Sequence, residues 1–215
     1  MEITWFGHSC FRFSERKMTS VVCDPYDNKE VGYAPLKVKA DIVTVSHESP
    51  RHKNLKAVSG DPYVITGPGE YEIGGVFVTG LRTDKRKVND QENQNNILYL
   101  INYFGITIVH LGDMMQVPTQ SEVESIGPVH VALVPVGGGD GLNAAKASEV
   151  ISLFEPNIVV PMHYSTSASK TNLDPIGKFL KVMGLSTVET LPSLKIAKPE
   201  SLPEETQIVV LDYPH

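Results

Sequence analysis

The chain changes its punctuation partway along, and that change limits the folds open to it. From Ile3 to Gly80 short apolar runs follow one another: Ile3 to Phe6, Cys10 to Phe13, Ser20 to Cys23, Ile42 to Val45, Tyr63 to Ile65, Tyr71 to Ile73 and Val76 to Val78. Gly7, Asp24-Pro25, Gly67-Pro68-Gly69 and Gly74-Gly75 separate them, which is the pattern of strands and tight turns. Ile97 to Asn102 and Ile106 to Val109 flank Tyr103-Phe104-Gly105 as a hairpin. From Thr119 onward strands alternate with helices: Ser121 to Ile126, strand Val129 to Val134, helix Asn143 to Phe154, strand Ile158 to Val160 and helix Asp174 to Met183. Leu142, Ala145, Ala147, Val150, Ile151 and Phe154 give the middle helix an apolar face at three-to-four spacing. Strands first and α/β units later predict sheets packed together with helices outside, a layered α/β protein. The polar stretch from Thr83 to Gln94 reads as a solvated hairpin loop. No repeat or linker divides the 215 residues, so residues 1–215 are expected to form a single domain.

Composition excludes several partners. Hydrophobic residues make up 41% and charged ones 20%, so a disordered or fibrous chain is ruled out. Acids outnumber bases by 25 to 19, a net charge of −6, whereas proteins that hold nucleic acid cluster Lys and Arg against phosphate. No nucleic-acid partner is expected. Cys10 and Cys23 are too few for a disulfide framework and read as buried thiols in a reducing compartment. Met1-Glu2-Ile3 opens with no basic stretch before an apolar one, and no apolar run nears the ~20 residues that span a bilayer. A cytoplasmic location without membrane contact is expected.

Five of the seven histidines occupy one kind of place. His8, His47, His110 and His163 each stand at or just past the end of an apolar strand, and His52 follows His47 by five residues. Strand ends converge at one edge of a sheet, where ligand sites of α/β proteins gather. Asp113 and Asp140 follow strands in the same way. Imidazole and carboxylate are the ligands of zinc and related divalent ions.

At these residues the chain resembles a known family. Ser46-His47-Glu48-Ser49-Pro50-Arg51-His52 is similar to a worn H-x-H-x-D-H signature of the metallo-β-lactamase superfamily. Thr4-Trp5-Phe6-Gly7-His8-Ser9-Cys10-Phe11, Gly67-Pro68-Gly69-Glu70-Tyr71-Glu72, His110-Leu111-Gly112-Asp113, Pro135-Val136-Gly137-Gly138-Gly139 and Val160-Pro161-Met162-His163-Tyr164 resemble, in order, the blocks of its short bacterial Zn-dependent hydrolases, related to the ascorbate-6-phosphate lactonase group. The resemblance implies a four-layer αββα sandwich with a metal site at one edge of two sheets. It implies metal ligands at His47, His52, Asp113 and His163. Ser49 replaces the second signature histidine and Arg51 the aspartate, and no histidine lies between His52 and His110 to supply the loop ligand.

What remains is one imidazole, His47, for a first ion, and His52, Asp113 and His163 for a second, sharing Asp113. Three protein ligands suffice for one catalytic ion, so one zinc at most, or none, is expected, with manganese or iron as alternatives. Arg51 is expected either to turn inward, pairing with Asp113 or Asp24 and displacing metal, or to swing out to solvent. With one ion the chemistry is hydrolysis of an ester, lactone or phosphoester in a small, anionic substrate by metal-activated water. Asp113 would orient the water, and His110 and His8 would move the proton. The other class of function is a catalytically silent, metal-poor relative with a binding or scaffolding role.

Overall fold

The computed structural model describes residues 1–83 and 96–214, and its strands gather into two main sheets. The first runs Leu194–Lys195, Glu2–Gly7, Cys10–Ser14, Val21–Cys23, Ile42–Thr44, Tyr63–Ile65. The second runs Gln207–Ile208, Ile158–Met162, Val131–Pro135, Ile106–His110, Ile97–Tyr103, Val76–Arg82, Gly69–Ile73. Side chains alternate across each strand, and the burial follows. Phe11, Phe13, Val21, Cys23 and Ile42 of the first sheet join Tyr99, Ile101 and Tyr103 of the second in one central core. Cys10, Val22 and Val43 face the other way, into a smaller core with Tyr26, Val31, Tyr33, Val38 and Val58. Each large side chain so buried contributes about 1.5–3 kcal/mol by leaving water.

Three helices cover the second sheet. Gln120–Ile126 begins with a capping box between Thr119 and Glu122, two orphan backbone donors satisfied at once. Ala144–Phe154 is capped by Asn143, whose side chain accepts the Lys146 N–H at 3.0 Å. It ends at Glu155 in the left-handed conformation and packs against Ile176–Val182. Ala144, and not Ala145, turns inward with Ala147, Val150, Ile151 and Phe154. Over the first sheet the helical layer is thin: the four-residue helix Asn28–Val31 and a 3-10 turn at Leu55–Ala57 lie in the segment that covers it. None of the described helices is long and apolar enough to cross a membrane.

The sheets divide the chain at a different point from the change of pattern in the sequence. Gly69–Ile73 and Val76–Arg82 look like members of the strand-rich first half, yet they pair onto Ile97–Tyr103 in the second sheet. The break falls at Gly67-Pro68, because proline lacks the N–H that continues a strand ladder. The tail also supplies an edge strand to each sheet. Of the polar stretch Thr83 to Gln94, only Thr83 lies within the described residues.

Parallel pairing sets the site. Val21–Cys23, Ile42–Thr44 and Tyr63–Ile65 run parallel in one sheet, and Ile106–His110, Val131–Pro135 and Ile158–Met162 in the other. Parallel strands deliver their carboxyl ends to one edge, so Asp24, Ser46-His47, Asp113 and His163 arrive together. His8, Asp24 and His163 leave their strands with φ of 51°, 47° and 53°. Left-handed backbone at non-glycine residues costs of order 1–3 kcal/mol and gathers at functional sites.

Candidate metal centre

Asp113 is the hub. Its Oδ2 lies 2.9 Å from His47 Nε2 and 3.1 Å from His52 Nε2, and its Oδ1 lies 2.8 Å from His163 Nδ1. Asp113, His52 and His163 are buried, and His47 is nearly so. The ligand atoms of His47, His52 and Asp113 all fall within 4.8 Å of one another, one metal-sized group among the described residues. His47 and His52 stand side by side, ring centroids 4.2 Å apart. His163 shares Asp113 from the opposite oxygen and is not in that group. The four residues named from the sequence therefore meet, in a different grouping: His47 sits with His52, and His163 stands apart on the far side of the carboxylate.

His52 Nε2 and His163 Nδ1 are close to Asp113 without the alignment of a hydrogen bond, and both atoms are fully buried. Burying such nitrogens without a partner is costly. A cation in their midst removes that cost, so the donor set fits a divalent ion.

Asp24 holds His52 from behind. Its Oδ2 accepts from His52 Nδ1 at 2.8 Å, while its two oxygens accept from the Ser46 N–H at 2.7 Å and the Ser46 hydroxyl at 2.6 Å. A carboxylate on the far nitrogen fixes the tautomer that leaves Nε2 free to bind metal. Burial opposes charge on His52, but Asp113 and Asp24 flank the ring and push its pKa up to about 10. Burial likewise opposes charge on Asp113, yet His163 and His52 hold its carboxyl well below the usual range. Asp24 is lowered against burial by His52 and His110.

His8 lies over the cluster, its ring 4.4 Å from that of His163 and 5.0 Å from that of His52. Burial, with His163 and His52 nearby, keeps its pKa well below 6.5. His110 is committed to backbone. Its Nε2 donates to the Ser9 carbonyl at 2.8 Å and its Nδ1 accepts the Gly112 N–H at 3.2 Å. It ties the two sheets together and has no ring nitrogen left for a proton shuttle.

Arg51 turns outward. Its guanidinium reaches Asp140 at 3.4 Å, with the two side chains 40% and 59% exposed. Asp113 and Asp24 are held by histidines and Ser46 instead, so the inward pairing that would displace metal is not formed. Desolvating a guanidinium beside four imidazoles would cost more than the exposed pair gains. Ser49 keeps a small role, its N–H reaching His47 Nδ1 at 3.2 Å. The glycines 137–139 form a turn: the N–H of Gly137 bonds the His163 carbonyl at 3.0 Å, and that of Gly138 bonds Leu142 at 2.9 Å. Glu48 pairs with Lys53 on the surface, and Glu70 and Glu72 are exposed on an edge strand.

Two residues at the centre carry no sequence signal of their own. Asp24 is one of several Asp-Pro turn residues, and Asn96 ends a polar run. Only the neighbours that the fold gives them mark them as part of the site.

The family described as "Beta-lactamase superfamily domain" matches residues 2–163. The chain is 31% identical over 187 residues to a UPF0173 protein of Pyrococcus furiosus, covering 77% of this chain and 84% of the relative. It is 26% identical over 193 residues to a UPF0173 metal-dependent hydrolase of Thermococcus kodakarensis, covering 77% and 85%. A crystal structure from Thermotoga maritima, of a candidate Zn-dependent hydrolase of the metallo-β-lactamase superfamily, matches with a TM-score of 0.80 and 35% identity over 99% of both chains.

Proposed function

The chain belongs to the β-lactamase superfamily, and from that membership we propose that it is a metal-dependent hydrolase working with a single divalent ion held by His47, His52 and Asp113. The observation that carries this reading is the buried triad itself, with His52 Nε2 making no hydrogen bond 3.1 Å from Asp113 and its other nitrogen fixed by Asp24. Two imidazoles and a carboxylate suit zinc, with iron or manganese as alternatives. When bound, such an ion lowers the pKa of water to about 7 and polarises the scissile carbonyl or phosphoryl oxygen. The chain's own residues do the rest. Asp24 keeps the His52 proton on Nδ1. Asp113 offers Oδ2 to the centre, while Oδ1 faces His163, which steadies the carboxylate. His8, packed against His52 and His163, is the residue left to move the proton. To offer Nε2, His47 must carry its proton on Nδ1, where the Ser49 N–H now points.

The proposed substrate is a small ester, lactone or phosphoester with an anionic group, in a cytoplasmic setting without nucleic acid. The net charge of −6 favours a small substrate over a polyanion.

One observation favours the silent-relative reading: the His52 ring, its pKa raised to about 10, already lies 3.1 Å from Asp113 and balances its charge without metal. The deciding measurement combines metal analysis for zinc, manganese and iron with calorimetric zinc titration and hydrolysis assays on lactones, esters and phosphoesters. One ion per chain with hydrolysis supports the proposal. Two tightly bound ions would overturn the single-ion centre, and no uptake of any of the three metals would leave the silent relative.

A further inference from the structure

Asn96 is almost fully buried and uses its whole side-chain amide. Its Oδ1 accepts the Asp113 backbone N–H at 2.8 Å. Its Nδ2 donates to the Leu111 carbonyl at 2.9 Å and to Thr83 Oγ1 at 2.8 Å. An acceptor facing an N–H and two donors facing oxygens leave one way for this amide to sit. The next residue braces the other ligand loop: the Ile97 N–H bonds the Ser46 carbonyl at 2.9 Å, directly before His47. Asn96 and Ile97 thus touch both loops that bring ligands to the centre, one from each sheet. Gly112 makes the approach possible. A Cβ there would lie 2.3 Å from Asn96 Oδ1 and 2.6 Å from Ser46 Cβ, and its φ of +57° already excludes most side chains.

We propose that Asn96 is a positioning residue for the metal centre, holding the Asp113 loop at the distance from His47 and His52 at which one ion is shared, with Thr83 as its buttress. The inference rests on the metal-binding reading above. Its physical basis is that a buried amide with every group satisfied is rigid, and that deleting it takes the Asn96 bond from the Asp113 N–H and leaves the Leu111 carbonyl with the Met114 N–H at 3.2 Å, which frees the loop to move.

The test compares the native protein with Asn96→Ala, Thr83→Val and the double variant. Zinc affinity is read by competition with a chromophoric chelator, coordination by the visible spectrum of the cobalt-loaded protein, and folding by thermal unfolding without metal. Asn96→Ala is expected to weaken zinc by about 10–100-fold, the usual loss for an outer-shell partner, and to change the cobalt spectrum. Thr83→Val is expected to weaken it about threefold, the share of one neutral hydrogen bond, and to add nothing in the Asn96→Ala background. Native affinity and spectrum in Asn96→Ala would overturn the proposal. Should Asn96→Ala fail to fold, Thr83→Val decides, and native affinity and spectrum there overturn it. Should the native protein take up neither zinc nor cobalt, the metal-binding reading falls by itself. The positioning role is then read from hydrogen exchange at the Asp113 amide, which the variants should accelerate and which, if unchanged, overturns it.

Discussion

Arg51 stands where the superfamily signature has an aspartate, and its direction matters more than its identity. Because the guanidinium reaches Asp140 at 3.4 Å in an exposed pair, it makes no bond within the centre. Exposed pairs contribute about 0–1 kcal/mol. Arg51→Ala is therefore expected to leave zinc affinity within about twofold of native by calorimetry, and a gain of tenfold or more would show that its charge repels the ion. The strand-end pattern gathered histidines and carboxylates at one edge, and the resemblance to the superfamily signature singled out His47, His52, Asp113 and His163 among them. The orientation of Arg51, the second role of Asp24 and the place of Asn96 could not be read in this way, since each depends on a neighbour at least 15 positions away.

At the level of elements, the loop after Val131–Pro135 decides where His163 goes. A Cβ on Gly137 would lie 2.3 Å from the His163 carbonyl and 2.8 Å from Tyr164 Cα, both backbone atoms. Neither strand end can yield without disturbing the parallel pairing of Val131–Pro135 with Ile158–Met162. Gly137→Ala is expected to destabilise the protein by about 1–3 kcal/mol, as overpacking does, seen as a lower urea midpoint. A midpoint within error of native would mean that the loop is free to shift. The glycine-rich run was readable as a turn, and its close contact with the His163 loop was not, because the two segments meet only once strands 27 residues apart in sequence pair.

For the whole molecule the buried centre couples stability to pH. The His52 pKa is raised from 6.5 to about 10, so its contribution is complete below pH 6.5 and is lost as pH climbs toward 10. His8 is shifted the other way: it stays neutral when folded and charges when unfolded, so stability also falls as pH drops below 6.5. Asp113 and Asp24, lowered from 3.8, add their stability above that value and lose it in acid. Metal-free protein is therefore expected to be most stable near pH 6.5, tested by thermal unfolding from pH 4 to 9. A zinc ion must displace the His52 proton, so apparent zinc affinity should rise by about tenfold per pH unit until pH nears 10. A maximum elsewhere would mean that His8 and His52 do not set the stability profile, and affinity flat with pH would mean that zinc does not displace the His52 proton. The sequence by itself determined the layered α/β architecture and the residue types of the centre. Period-two and three-to-four spacing report burial directly, and the motif order spans the chain. Tertiary structure alone decided which strands share a sheet, that His47 groups with His52 and Asp113, and that Arg51 faces solvent. Those outcomes turn on distances between segments far apart in sequence and on the cost of burying charge, neither of which any local pattern encodes.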